Sequence, residues 1–285
     1  MNRIGLVLEG GAMRGLFTAG ILDVMLENNI AVDGIIGVSA GAAFGCNFKS
    51  KQPGRVIRYN KRYCRDRRYC SWWSWMTTGD VFGAEFCYHE LPEKLDLFAV
   101  DVFEKNPVEF YLVCTDVENG KPLYYKCDKA DAECFEYMRA SASMPLVSRI
   151  VEVGGGKYLD GALADSIPLE FFESAGYDKN IVILTQPEGY QKKLSSAFKF
   201  LKFIYRKYPA LVKAIRERHI MYNREIEYIE KQAAAGKVLL LRPDEKLPVK
   251  RMCRNPEILQ KTYDIGREYA KKHLPEIKSF SGRIQ

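Results

Sequence analysis

The chain has 285 residues, 47% hydrophobic and 28% charged, with a formal net charge of +7. Those values suit a globular protein large enough to bury a sizeable core. No run approaches eighteen uninterrupted apolar residues, which excludes a transmembrane helix, and the segment Met1 to Leu8 lacks the apolar stretch and cleavage site of a signal peptide.

Ile4 to Leu8 reads as a short buried strand, ended by Glu9-Gly10-Gly11. From Leu16 to Leu26, apolar residues at 16, 17, 21, 22, 25 and 26 follow a helical period, closed by Asn28-Asn29. Ile35 to Val38 is a second strand, and a helix begins near Ala40. Further strands are expected at 110–114, 123–126, 149–153, 181–185 and 238–241. Helices are expected at 130–140, 169–174, 197–235 with a break near Pro209, and 256–273. Strands alternating with helices predict an α/β fold around a mostly parallel sheet. With no internal repeat or low-complexity linker, a single domain over 1–285 is the simplest organisation.

Two glycine-rich features carry the chemistry. Gly37-Val38-Ser39-Ala40-Gly41 lies between strand and helix, the form of a nucleophile elbow that lifts a serine to the helix N-terminus. Glu9 to Gly15 lies between the first strand and first helix, where successive small residues leave N–H groups pointing at one spot. Such a loop suits either a dinucleotide phosphate, with Asp33 as ribose ligand, or the oxyanion hole of an acyl-transfer enzyme. In a parallel sheet both loops would emerge at one carboxyl edge, and only acyl transfer needs both together.

A serine nucleophile needs a base. The three histidines, His89, His219 and His273, lie in an irregular aromatic stretch or in charged runs. Asp160, in Tyr158-Leu159-Asp160-Gly161-Ala162, is the better candidate, since a shielded carboxylate can take the serine proton directly. In isolation an Asp-Gly pair is a plain turn.

The blocks Gly10-Gly11-Ala12-Met13-Arg14-Gly15, Gly37-Val38-Ser39-Ala40-Gly41 and Asp160-Gly161-Ala162 resemble, in order and spacing, the patatin-like phospholipases. Ala140-Ser141-Ala142-Ser143-Met144-Pro145 resembles a further block of that family. The resemblance implies a three-layer α/β/α sandwich with a core over about 4–187 and a C-terminal extension over about 188–285, as in bacterial members. It implies a lipid acyl hydrolase using no metal or cofactor. Ser39 would be the nucleophile and Asp160 the base, with Gly10, Gly11 and Ala12 holding the oxyanion. Arg14, Gly15, Gly37, Gly41, Gly161 and Ala162 are carried over as motif members. Ala12 departs from the family's three consecutive glycines, and the expectation is a local conformation that accepts a side chain. A non-lipid esterase or thioesterase, and a nucleotide-binding module on Gly10–Gly15, are the alternatives.

Residues 49–68 hold nine Lys and Arg against Asp66 alone, and Trp72, Trp73 and Trp75 follow. That composition suits contact with an anionic membrane, or a solvated helix beside buried tryptophans. Phe198 to Tyr208, basic and aromatic, reads as a membrane helix, an acyl-pocket wall or a helix packed on a core. After residue 190 there are 23 Lys and Arg against 10 Asp and Glu, without a nucleic-acid recognition motif, so no nucleic-acid partner is expected. The eight cysteines show no CxxC or zinc spacing, which predicts reduced thiols in a cytoplasmic protein.

Overall fold

The computed structural model describes residues 3–282. Eight strands form one sheet: β1 (Ile4–Leu8), β2 (Gly34–Val38), β3 (Glu109–Asp116), β4 (Pro122–Lys126), β5 (Val151–Val153), β6 (Gly156–Asp160), β7 (Lys179–Ile183) and β8 (Val238–Leu241). Their order is β5-β6-β3-β2-β1-β7-β8, with β4 also paired to β3. From β3 through β8 along that order the strands are parallel, whereas β4 and β6 run against β3, and β5 against β6.

The helices are α1 (Gly15–Glu27), α2 (Ala40–Lys49), α3 (Arg55–Tyr63), α4 (Trp72–Thr78), α5 (Val100–Lys105), α6 (Ala132–Ser141), α7 (Leu169–Ser174), α8 (Phe198–Ile204), α9 (Pro209–Ala234), α10 (Pro256–Lys272) and α11 (Leu274–Ser281). Pro209 opens α9, where a missing N–H costs nothing, and so divides the long helical stretch.

Uninterrupted apolar strands are covered on both faces. Leu6, Leu8, Ile35, Leu112 and Ile181 pack with α1 and α10 through Phe17 and Tyr263. Their neighbours Val7, Ile36, Val113 and Val182 point the other way, against Phe172 of α7 and Tyr222 of α9. This strict alternation makes the molecule a three-layer α/β/α sandwich. Burying each such side chain contributes about 1.5–3 kcal/mol.

The C-terminal stretch belongs to the same core. On α10, Tyr263 donates its hydroxyl to Asp23 at 2.6 Å, and Arg267 grips Glu27 through two bonds of 2.8 Å. Phe17 of α1 meets the edge of Tyr269 at 5.5 Å between ring centres.

Three findings differ from the sequence reading. The stretch before Asp160 is a strand, β6, joined to β5 by Gly154 (φ 56°) and Gly155 (φ 76°), the two left-handed positions of a tight hairpin. Phe86–Leu95 is a π-helical segment despite Pro92, a rare form that clusters near functional sites. Cys127 and Cys134 form a disulfide, against the expectation of reduced thiols. They lie seven positions apart, linking the end of β4 to the first turn of α6, and their Cα atoms stand 5.8 Å apart. The other six cysteines are free.

Candidate active site

β1 and β2 are adjacent and parallel, with Leu8 opposite Gly37, so the loops after them leave the same sheet edge. Ser39 joins β2 to α2 at φ 56° and ψ −121°, a sparsely populated conformation for a residue with a side chain. Two glycines make that turn possible. A Cβ on Gly37 would lie 2.5 Å from the Ala42 nitrogen, and one on Gly41 would lie 2.3 Å from the Leu8 carbonyl oxygen. The N–H of Ser39 donates to Ser141 Oγ at 3.0 Å, and the N–H groups of Ala42 and Ala43 donate to its carbonyl at 3.0 Å.

Asp160 ends β6, opposite Cys114 of β3. Its N–H donates to the Ser143 carbonyl at 2.8 Å, and Thr115 Oγ1 donates to its carbonyl at 2.9 Å. The Ala140–Pro145 block therefore anchors both residues, Ser39 through Ser141 and Asp160 through Ser143. The carboxylate is buried. Its Oδ1 accepts from the Ala162 N–H at 2.9 Å, while Oδ2 makes no hydrogen bond. Burial raises its pKa above the ordinary carboxylate range, against the opposing pull of the Arg218 guanidinium and then the Ser39 hydroxyl. The two side chains thus interact without closing a hydrogen bond to Oδ2.

Among the described residues, the N–H groups of Gly10, Gly11 and Ala12 donate no hydrogen bond. Ala12 corrects the sequence expectation. It sits at φ 50°, the left-handed region that favours glycine, rather than in a conformation natural to a side chain. The short turn Ala12–Arg14 closed by Arg14 N–H to the Gly11 carbonyl at 3.2 Å holds it there.

Ser39, Asp160, Gly10, Gly11 and Ala12 share one cavity of about 380 Å³. Part of its wall is apolar and aromatic, with Tyr59, Phe82, Leu91, Phe98 and Phe135, and the π-helical segment supplies Leu91 and Pro92. Another part is charged: Glu9, Arg14, Lys192, Arg218 and Arg251. Among these, Glu9, Lys192 and Arg251 escape a motif reading. Glu9 is buried at the end of β1 and accepts from Thr185 N–H at 2.6 Å, Thr185 Oγ1 at 3.0 Å and the Tyr222 hydroxyl at 3.0 Å. A charged residue closing an apolar strand was its only sequence signal.

Other candidates lie elsewhere. Asp33 precedes β2, at the amino edge of the sheet, and its Oδ2 accepts from the Ile4 N–H at 2.7 Å. The glycine loop follows β1 at the carboxyl edge, so Asp33 is no ribose ligand for it. No histidine lines the cavity: His89 meets Glu136 at 3.4 Å, and His219 and His273 meet backbone carbonyls of their own helices. No residue of α8 lines it either, which removes the acyl-wall reading of that helix. Among the described residues, no group of three or more His, Cys, Asp and Glu could hold a metal ion.

A family model described as patatin-like phospholipase matches residues 6–172. The chain belongs to the patatin-like phospholipase family. A second model, a domain of unknown function, matches residues 208–282. Among curated relatives, an uncharacterized protein of Escherichia coli K12, YjjU, is 31% identical over 196 residues, covering 65% of this chain and 53% of its own. Lysophospholipase nte1 of Aspergillus oryzae is 24% identical over 293 residues, covering 97% of this chain but 18% of its own. The chain therefore spans about half the length of the bacterial relative and under a fifth of the fungal one. The crystal structure of VipD from Legionella pneumophila aligns over 97% of this chain and 67% of its own, at 10% identity and a TM-score of 0.47. No helix among the described residues is long and apolar enough to cross a membrane.

Proposed function

We propose that this chain is a serine acyl hydrolase acting on lipid esters, with Ser39 as nucleophile and Asp160 as its base. One observation carries the reading: a strained serine and a buried, under-bonded carboxylate share an apolar-walled cavity with free N–H donors. Family membership and the lysophospholipase relatives support the lipid class of substrate.

Ser39 Oγ attacks the ester carbonyl carbon while Asp160 Oδ2 takes its proton. The charge that develops on the carbonyl oxygen is met by the N–H groups of Gly10, Gly11 and Ala12, helped by the N-terminal dipole of α2. Collapse of the tetrahedral species expels the alcohol, which takes the proton from Asp160. Water then attacks the acyl-enzyme, giving its proton to Asp160, which passes it to Ser39 Oγ as the fatty acid leaves. A thioester or non-lipid ester would follow the same steps.

Residues 1–285 would act as one unit, the extension closing the cavity through Tyr222 and Arg218. The exposed edge formed by α4 would meet the lipid aggregate. Trp72, Trp73 and Trp75 are 63%, 47% and 40% exposed, and Trp75 Nε1 donates to the Leu146 carbonyl at 3.0 Å, beside cavity residues Pro145 and Val147.

The test is labelling with a fluorophosphonate, followed by an acyl-chain and headgroup panel with Ser39→Ala as control. The label is expected on Ser39. Turnover retained by purified Ser39→Ala protein would overturn the mechanism.

A further inference from the structure

Acyl transfer leaves one end of the cavity without a task. Arg14, Lys192, Arg218 and Arg251 line it together, with Glu9 and Asp160 as the carboxylates among them. Among the described residues, none of the four cations lies within 4.0 Å of an acidic oxygen. Glu9 is already taken up by Thr185 and Tyr222.

The heads of Arg14, Lys192 and Arg218 are held at the wall, while Arg251 reaches the cavity from an exposed position on its loop. Lys192 Nζ stands 4.0 Å from the centre of the Tyr222 ring. Arg218 Nε donates to the Ala162 carbonyl at 2.6 Å, two residues past the base. The Arg251 carbonyl accepts from Met13 N–H at 3.5 Å, which ties its loop to the glycine loop. Arg14 Nε is buried without a partner. These charges work against one another. Burial first, then Arg218, brings the Lys192 ammonium down to about 8, and Arg251 opposes both Arg14 and Arg218. A fold that holds unpaired like charges in a cleft has arranged a site for an anion.

We propose that Lys192, Arg218 and Arg251 form a subsite that selects acyl esters bearing a phosphate group, and that the region of unknown function thereby supplies the headgroup half of the substrate site. Arg218 and Arg251 lie within residues 208–282, and all three lie beyond the patatin match at 6–172. Guanidinium forks match phosphate oxygens in pairs, and a lysine adds a point charge. A single-chain glycerophospholipid presents acyl chain, ester and phosphate in sequence, as the cavity presents aromatic wall, Ser39 and cations. This inference rests on the hydrolase reading above.

The experiment titrates Ser39→Ala protein calorimetrically with a short-chain lysophosphatidic acid below its micelle concentration, the uncharged monoacylglycerol of the same chain, and inorganic phosphate. The charged lipid should bind about ten-fold tighter or more than the uncharged one. Arg251→Gln or Lys192→Gln in that background should erase most of the difference. Inorganic phosphate should bind weakly and compete with the lysophosphatidic acid. Equal affinity for the two lipids, or a difference that survives both substitutions, overturns the subsite. Inorganic phosphate binding as tightly as the lipid overturns it as a substrate subsite and assigns the cations to free phosphate. Should the substituted proteins not fold, phosphate competition in the Ser39→Ala protein decides alone. A wild-type protein that cleaves no ester would defeat the hydrolase reading, and the binding comparison would still judge the subsite.

Discussion

The two ends of the cavity are built by different means. Around Ser39 the geometry is made of backbone: Gly37 and Gly41 let chain segments approach to distances no side chain tolerates, and the lining residues Gly10, Gly11 and Ala12 have N–H groups that donate no hydrogen bond. At the cationic end it is made of long side chains that arrive from the glycine loop, the stretch after β7, α9 and the loop before α10. Backbone construction demands particular residues at fixed spacing and tolerates little change. Side-chain construction sets a charge in space and leaves its origin in the chain nearly free. Chemistry is thus expected to be brittle at one end and graded at the other.

Ser39→Ala and Asp160→Asn test the brittle end most severely. Each is expected to lower kcat/KM for ester cleavage by about 10³-fold or more, measured on protein whose circular dichroism is unchanged. A loss under ten-fold in either variant would mean that the backbone end does not perform the chemistry.

The α4 edge, proposed above to meet lipid, should respond in a graded way. Replacing Trp72 and Trp73 together by serine should weaken binding to phosphatidylglycerol vesicles at low salt by about ten-fold. Hydrolysis of a water-dispersed ester should persist. Vesicle binding that ignores the double substitution would move the membrane contact elsewhere.

Asp160→Asn should also stabilise the fold. The Asp160 carboxyl is raised above its unfolded value by burial, net of Arg218, Ser39, the Ala162 N–H and Arg251. Its protonated form therefore favours the folded state, and that stability is lost as pH rises through the folded pKa. At pH 8 the asparagine protein should melt higher than wild type. The gap should close as pH falls below the ordinary aspartate range. A gap that is absent at pH 8, or that widens in acid, would contradict the assigned cause.

Ala12→Gly has the smallest expected effect. Relief of the left-handed alanine is offset by the greater freedom of the unfolded glycine chain, leaving stability within about 1 kcal/mol. Activity should stay within about two-fold. A large loss would give the Ala12 methyl a role that the loop geometry does not.

What was legible in the sequence follows the same division. The Ser39 turn, the Gly10–Gly15 loop and Asp160-Gly161 could be read because their construction restricts residue type at each step. The parallel order of β1 and β2 was legible because both strands are continuous apolar runs covered on two faces. β6 was not, since Gly156-Lys157-Tyr158-Leu159-Asp160 carries two large apolar side chains and depends on its pairing with β3 and β5. Asp33 looked like a ligand at the right spacing, but spacing does not say which edge of a sheet a residue occupies. Lys192 and Arg251 looked like any solvated cations. Only tertiary folding brings them to one wall.

Glu9 joins the two ends. Its carboxylate begins the glycine loop and receives the hydroxyl of Tyr222 from α9, 213 positions later in the chain. A fragment stopping at residue 187 would keep every glycine motif, Ser39 and Asp160, while its glycine loop started from a buried acid short of one donor. For relatives of this chain, an intact set of motifs is therefore an incomplete sign of an intact cavity; the residue that satisfies this glutamate has to be found as well.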